Sequence, residues 1–186
     1  LASSETNCKE FLRPYLAEAV ASVCGDDVEL CAVCVAKGME FLNAPYETIQ
    51  KVTEDLVRSD GERYCFSKSQ EEVDTLLWEA QLKYVFPLVE NYRRYFVKKY
   101  YAFIKAALPI NNGYGDQVMV PEEAELGNLM YLVERGGIPV SAEESMELKR
   151  YRKARNELAH MNLLSNEELC VISVSYTHLR AHETRG

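Results

Sequence analysis

The stretch YRKARNELAH, Tyr151 to His160, holds the residue types best suited to phosphate and proton chemistry: Arg155, Asn156 and His160. The arginine fork matches two phosphate oxygens, and histidine exchanges a proton near neutral pH. Such a set could cleave RNA, because attack by the 2′-hydroxyl needs proton transfer and a donor for the charge developing at phosphorus. The plain alternative is a solvated arginine beside a capping or packing histidine. On an ideal helix Arg155 and His160 lie about 140° apart, whereas Asn156 and His160 lie about 40° apart. Arg155 and His160 therefore converge only if the helix distorts or if two copies pair across a two-fold axis.

The elements that must position these residues read as helices. Ser141 and Glu144 in SAEE have the spacing of a capping box. The helix that follows carries an apolar stripe of Leu148, Tyr151, Ala154, Leu158 and Met161. Before it, Pro121 opens a shorter helix that ends at Gly136-Gly137. A loop or small hairpin precedes that helix, centred on the turn pair Asn112-Gly113. A second capping box, Ser69 to Glu72, starts a long helical region running to about Leu108. Its apolar face is Val73, Leu77, Ala80, Tyr84 and Leu88, continued by Tyr92, Tyr95, Phe96 and Phe103. Pro87 should kink or split it.

Three helices are predicted upstream: residues 7–24 stopped by Gly25, residues 26–43, and residues 44–61 with Pro45 in the first turn. DGERYCF then supplies a turn and a short extended piece, so a winged-helix-like module is one reading of residues 1–66. Glu47, Glu54 and Asp55 suit a DNA groove poorly, and a structural linker is the better expectation. The fold class is all-α, with residues 67–173 forming a second domain. The start LASSETN, lacking Met and a signal pattern, leads us to expect a fragment cut from a longer cytoplasmic protein.

A net charge of −8 argues against a surface that coats nucleic acid, but leaves room for local basic pockets at RRYFVKK and LKRYRKAR. The six cysteines contain one close pair, Cys31 and Cys34, at core spacing and without further zinc ligands nearby; buried, reduced thiols are expected. No metal or cofactor is predicted, and no apolar run is long enough for a bilayer.

Residues 174–184, VSYTHLRAHET, resemble an in-frame translation of a transposon-type sequencing adapter. The natural frame is expected to end near Ile172 or Ser173. His178 and His182 are therefore not taken as a metal pair, and residues 174–186 are expected to contribute nothing to folding.

RNELAH, together with Trp78 and the WEAQLKYVFPLVENYRRYF helix, makes residues 70–172 resemble the HEPN superfamily (higher eukaryotes and prokaryotes nucleotide-binding domains). The resemblance implies an up-and-down helical bundle, commonly dimeric, and in many members a metal-independent endoribonuclease of toxin or antiviral type. It implies Arg155 as the phosphate-binding group, His160 as acid/base and Asn156 as the orienting residue, with Glu90 and Asn91 as candidates for a polar residue on an earlier helix. Single-stranded RNA, a second copy and an upstream sensor or NTPase would be the partners. Some HEPN toxins have a tyrosine two positions after the histidine; here Asn162 stands there, so regulation through it is not expected. The alternative is a dimerisation or ligand-binding module without catalysis.

Overall fold

The computed structural model describes residues 7–111 and 117–183, the last six as backbone only. The architecture is all-α. A 3-10 turn at Glu10–Leu12 leads into α1 (Arg13–Cys24), followed by α2 (Val28–Lys37), α3 (Met39–Asn43) and α4 (Pro45–Asp55). Then come α5 (Gln70–Lys99), α6 (Tyr101–Ala106), a two-stranded antiparallel ribbon of β1 (Ile110–Asn111) and β2 (Gln117–Val118), and a 3-10 turn at Pro121–Glu123. The chain continues as α7 (Leu126–Glu134), α8 (Ala142–Ala159) and α9 (Asn166–Glu183). Ile110 pairs with Val118, while the Asn112-Gly113 turn lies outside the described residues.

The long helix α5 is the spine, with α1 packed along one side and α8 and α9 along others. Residues on both sides of the boundary expected near Ser67 contribute to the same core: Leu16, Ala19 and Phe41 as well as Leu77, Leu129, Leu148 and Leu158. At the crossing of α5 and α8, Tyr92 and Tyr151 stack with centroids 4.0 Å apart and planes 7° from parallel. Both phenols titrate above their usual range, chiefly because burial disfavours the phenolate.

Several expectations are corrected. The first helix begins at Arg13 rather than Asn7, because Pro14 clashes with a helical carbonyl four residues earlier and confines Glu10–Leu12 to a 3-10 turn. The predicted second helix breaks at Gly38, whose φ is 56°. A Cβ there would stand 2.4 Å from the Asn7 carbonyl oxygen, and that oxygen accepts the Met39 N–H at 2.9 Å. Glycine is what lets the N-terminal segment dock at this point.

α5 runs unbroken through Pro87 and ends at Lys99, with Tyr100 as its C-cap. The proline sits on the solvent side, beside exposed Lys83, where the carbonyl left without a donor can be hydrated. The extended piece after α4 is a single bridge, Val57 to Arg63, which is too little for a wing. Phe103 is exposed, because the break at Tyr100 turns α6 off the register of the α5 face. Cys34 is buried, Cys31 half-buried, and both are free thiols.

α9 does not stop at Ser173 but continues through the adapter-like peptide. Ser175 bonds the Glu147 carboxylate, and the Tyr151 hydroxyl donates to Ser175 Oγ at 3.3 Å. Asn91 donates to the Tyr176 hydroxyl at 3.2 Å. Residues 174–177 thus take part in packing, contrary to expectation. A peptide free of Gly and Pro extends a helix that is already nucleated, whatever its origin. The side chains of His178 and His182 lie outside the described residues.

Candidate functional site

The site is built on the last two turns of α8 and the loop that follows. Ser141 caps the helix start, accepting the Glu144 N–H at 3.1 Å, while Glu144 accepts the Ser141 N–H at 2.8 Å. Leu148, Tyr151, Ala154 and Leu158 are buried as the stripe predicts. Met161 is not: the helix ends at Ala159, and Met161 is 63% exposed.

The helix end is a Schellman turn. The Met161 N–H donates to Leu158 O at 3.2 Å and the Asn162 N–H to Glu157 O at 2.9 Å. Met161 takes the left-handed position at φ 61°, where glycine is usual and a side chain costs on the order of 1 kcal/mol. His160 is the C-cap, its backbone N–H shared between Asn156 O and Glu157 O, each at 3.1 Å.

Two side chains from α5 clamp this loop. Trp78 Nε1 donates to Leu158 O at 2.9 Å. Gln81, buried, accepts the Leu164 N–H at 2.7 Å, donates to Leu164 O at 3.0 Å, and donates to the Tyr15 hydroxyl at 3.1 Å. The amide satisfies both backbone groups of Leu164, so residues 159–163 are held at both ends while their side chains stay exposed. Spacing suggested Trp78 only through the family resemblance; Gln81 and Met161 gave no functional signal in the sequence.

Arg155 is exposed, with Nη1 3.4 Å from Asn156 Oδ1, and no carboxylate pairs with it among the described residues. Lys149, Arg150 and Arg152 are likewise without ion pairs among those residues, whereas Lys153 pairs with Glu168 at 2.6 Å. Arg155 and Asn156 line an open groove of about 720 Å³ between α8, α7 and the ribbon. His160 does not line that groove. A single protomer therefore brings Arg155 and Asn156 together and leaves His160 on another face, about 7.5 Å further along the helix axis.

Glu90 and Asn91 are engaged elsewhere. Glu90 accepts Arg93 Nε and Nη2, both at 2.8 Å, and Arg94 Nε at 2.9 Å. The hydrogen bond from Arg93 is the main cause that holds its carboxyl below the ordinary range. Arg93 also donates to Glu122 O at 2.7 Å and Ala124 O at 3.1 Å, so the pair braces the entry to α7. The RRYFVKK cluster is thus largely structural. Asn162 donates to Glu157 Oε2 at 2.9 Å and tightens the turn. No group of three or more potential metal ligands occurs among the described residues, and no described helix is long and apolar enough to cross a membrane.

Compared with family models, curated proteins and solved structures, the chain matches none.

Proposed function

We propose that this chain is a HEPN-like, metal-independent endoribonuclease module that works as a homodimer. The observation that carries the reading is the contrast at the end of α8: the backbone from Leu158 to Leu164 is clamped, yet Arg155 and His160 are exposed and make no ion pair among the described residues. A rigid scaffold holding uncommitted polar side chains is what a site for an external anion requires. Because the two residues point apart in one protomer, the working site combines Arg155 and Asn156 of one copy with the histidine of the other.

In that site His160 takes the 2′-hydroxyl proton, and the resulting oxygen attacks the adjacent phosphorus. Arg155 stabilises the charge on the phosphoryl oxygens, and a proton returns to the departing 5′-oxygen. The products are a 2′,3′-cyclic phosphate and a 5′-hydroxyl. A cytoplasmic toxin or antiviral role, with an upstream sensor or NTPase controlling the module, belongs to the same proposal.

The competing reading is a dimerisation or ligand-binding module without chemistry, favoured by the separation of His160 from the Arg155 groove. Single-stranded RNA incubated with the protein in EDTA distinguishes them. The nuclease reading expects cyclic-phosphate ends and a loss of about 100-fold or more in His160→Ala. Undiminished cleavage by that variant, or a need for Mg²⁺, would rule the reading out.

A further inference from the structure

The groove that contains Arg155 is chemically divided in a way that matches a nucleotide. Its α8 wall carries Arg152, Arg155 and Asn156, and its α7 wall carries Gly127, Tyr131 and Glu134. The volume, about 720 Å³, falls within the range of sites for small molecules, roughly 300–1,000 Å³. Tyr131 is 43% exposed, and the Arg135 guanidinium stands 4.6 Å from its ring centroid, an arrangement that fixes the ring. An exposed, oriented aromatic beside unpaired arginines is the usual platform for an unstacked base.

Gly127 supplies an independent observation. It lies within α7, where glycine is the poorest helix former after proline. Nothing stands within 4 Å of the place its Cβ would occupy, so internal packing does not require it. It lines the groove on the α7 side, where a larger side chain would take up space now open. Glu123, Glu125 and Glu134, exposed and outside every ion pair among the described residues, would repel a phosphate but accept from a base edge.

We infer that this groove selects a guanine nucleotide next to the phosphate bound by Arg155, an inference that rests on the RNA reading above. The base stacks on Tyr131, and its N1–H and N2 amino donors meet the Glu134 carboxylate side by side. Arg152 takes the neighbouring phosphate. Guanine fits best because it alone offers two adjacent donors to one carboxylate; uracil offers only N3–H.

The test uses the full chain carrying His160→Ala, so that RNA is not consumed, and fluorescence anisotropy with labelled single-stranded RNA hexamers containing a central G or U. The G hexamer should bind about tenfold more tightly. Tyr131→Ala should weaken its binding about tenfold, Tyr131→Phe should not, and Glu134→Gln should erase the difference between G and U. Gly127→Leu should crowd the α7 side of the groove and weaken binding while thermal unfolding stays level or rises, which separates occlusion from misfolding. Equal binding of both hexamers, no binding, or indifference to Tyr131→Ala and Gly127→Leu overturns the inference. Cleavage by the wild-type chain is scored separately. Selective binding without cleavage leaves the groove standing and removes the nuclease. Cleavage with no base preference does the reverse.

Discussion

The two ends of α8 are built to opposite rules. At its start the capping pair is fully engaged: Ser141 and Glu144 cap each other, and Glu144 also accepts Lys99 Nζ at 2.5 Å and the Tyr100 hydroxyl at 2.7 Å. Burial opposes ionisation of this carboxyl, but the bonds from Lys99, Tyr100 and Ser141 more than offset it and bring its pKa down to about 2. At the other end the backbone is as firmly held, by Trp78, Gln81 and the Schellman turn, yet Arg155 and His160 are exposed and make no ion pair among the described residues. One end uses its capping side chains within the fold; the other secures its backbone and leaves the side chains of Arg155 and His160 exposed. The same end carries the left-handed Met161, a backbone position that costs a side chain on the order of 1 kcal/mol.

The largest effect is expected from removing the clamp. Gln81→Ala leaves the Leu164 N–H and C=O without their partner and should cost about 3 kcal/mol in urea unfolding, with loss of RNA cleavage. A loss under about 1 kcal/mol would mean that the loop is not anchored there. Ser141→Ala, at the committed end, should cost about 1 kcal/mol and leave cleavage per folded molecule unchanged.

Glu144 makes a pH prediction with a definite sign. Its folded pKa is depressed from the ordinary 4.5 to about 2, so its contribution is complete above 4.5 and is lost as pH falls toward 2. Unfolding midpoints measured across that window should decline for the native chain and decline less for Glu144→Gln. The smallest effect is expected from Met161→Gly. Relief of the left-handed backbone should raise stability by about 0.5 kcal/mol, read by thermal unfolding; destabilisation would show that the exposed side chain has a packing role.

Features legible in the sequence were those set by neighbours within a turn or two. Both capping boxes, Pro45 at the start of α4, Gly25 after α1 and the buried stripe from Leu148 to Leu158 follow from local spacing. The break at Gly38 depends on Asn7, and the tolerance of Pro87 depends on which side of α5 faces water; neither is local information. The clamps were hidden for the same reason, since Trp78 meets a carbonyl 80 residues away and Gln81 one 83 residues away. Helical periodicity put Met161 on the apolar stripe because it could not register that the helix stops two residues earlier. For the candidate site, the residue types and the separation of Arg155 from His160 were legible, whereas the groove that Arg155 lines required α7 to be in place.

The central claim is that Arg155 of one copy works with His160 of another, and mixing two inactive proteins tests it most directly. Arg155→Ala and His160→Ala, each purified and then co-refolded in equal amounts, form mixed dimers in which one of the two shared sites is intact. RNA cleavage in EDTA should return to about a quarter of wild type, since half the dimers are mixed and each holds one working site of two. A mixture as inactive as either variant alone, beside a wild-type protein that cleaves, would contradict a site shared across the two-fold axis.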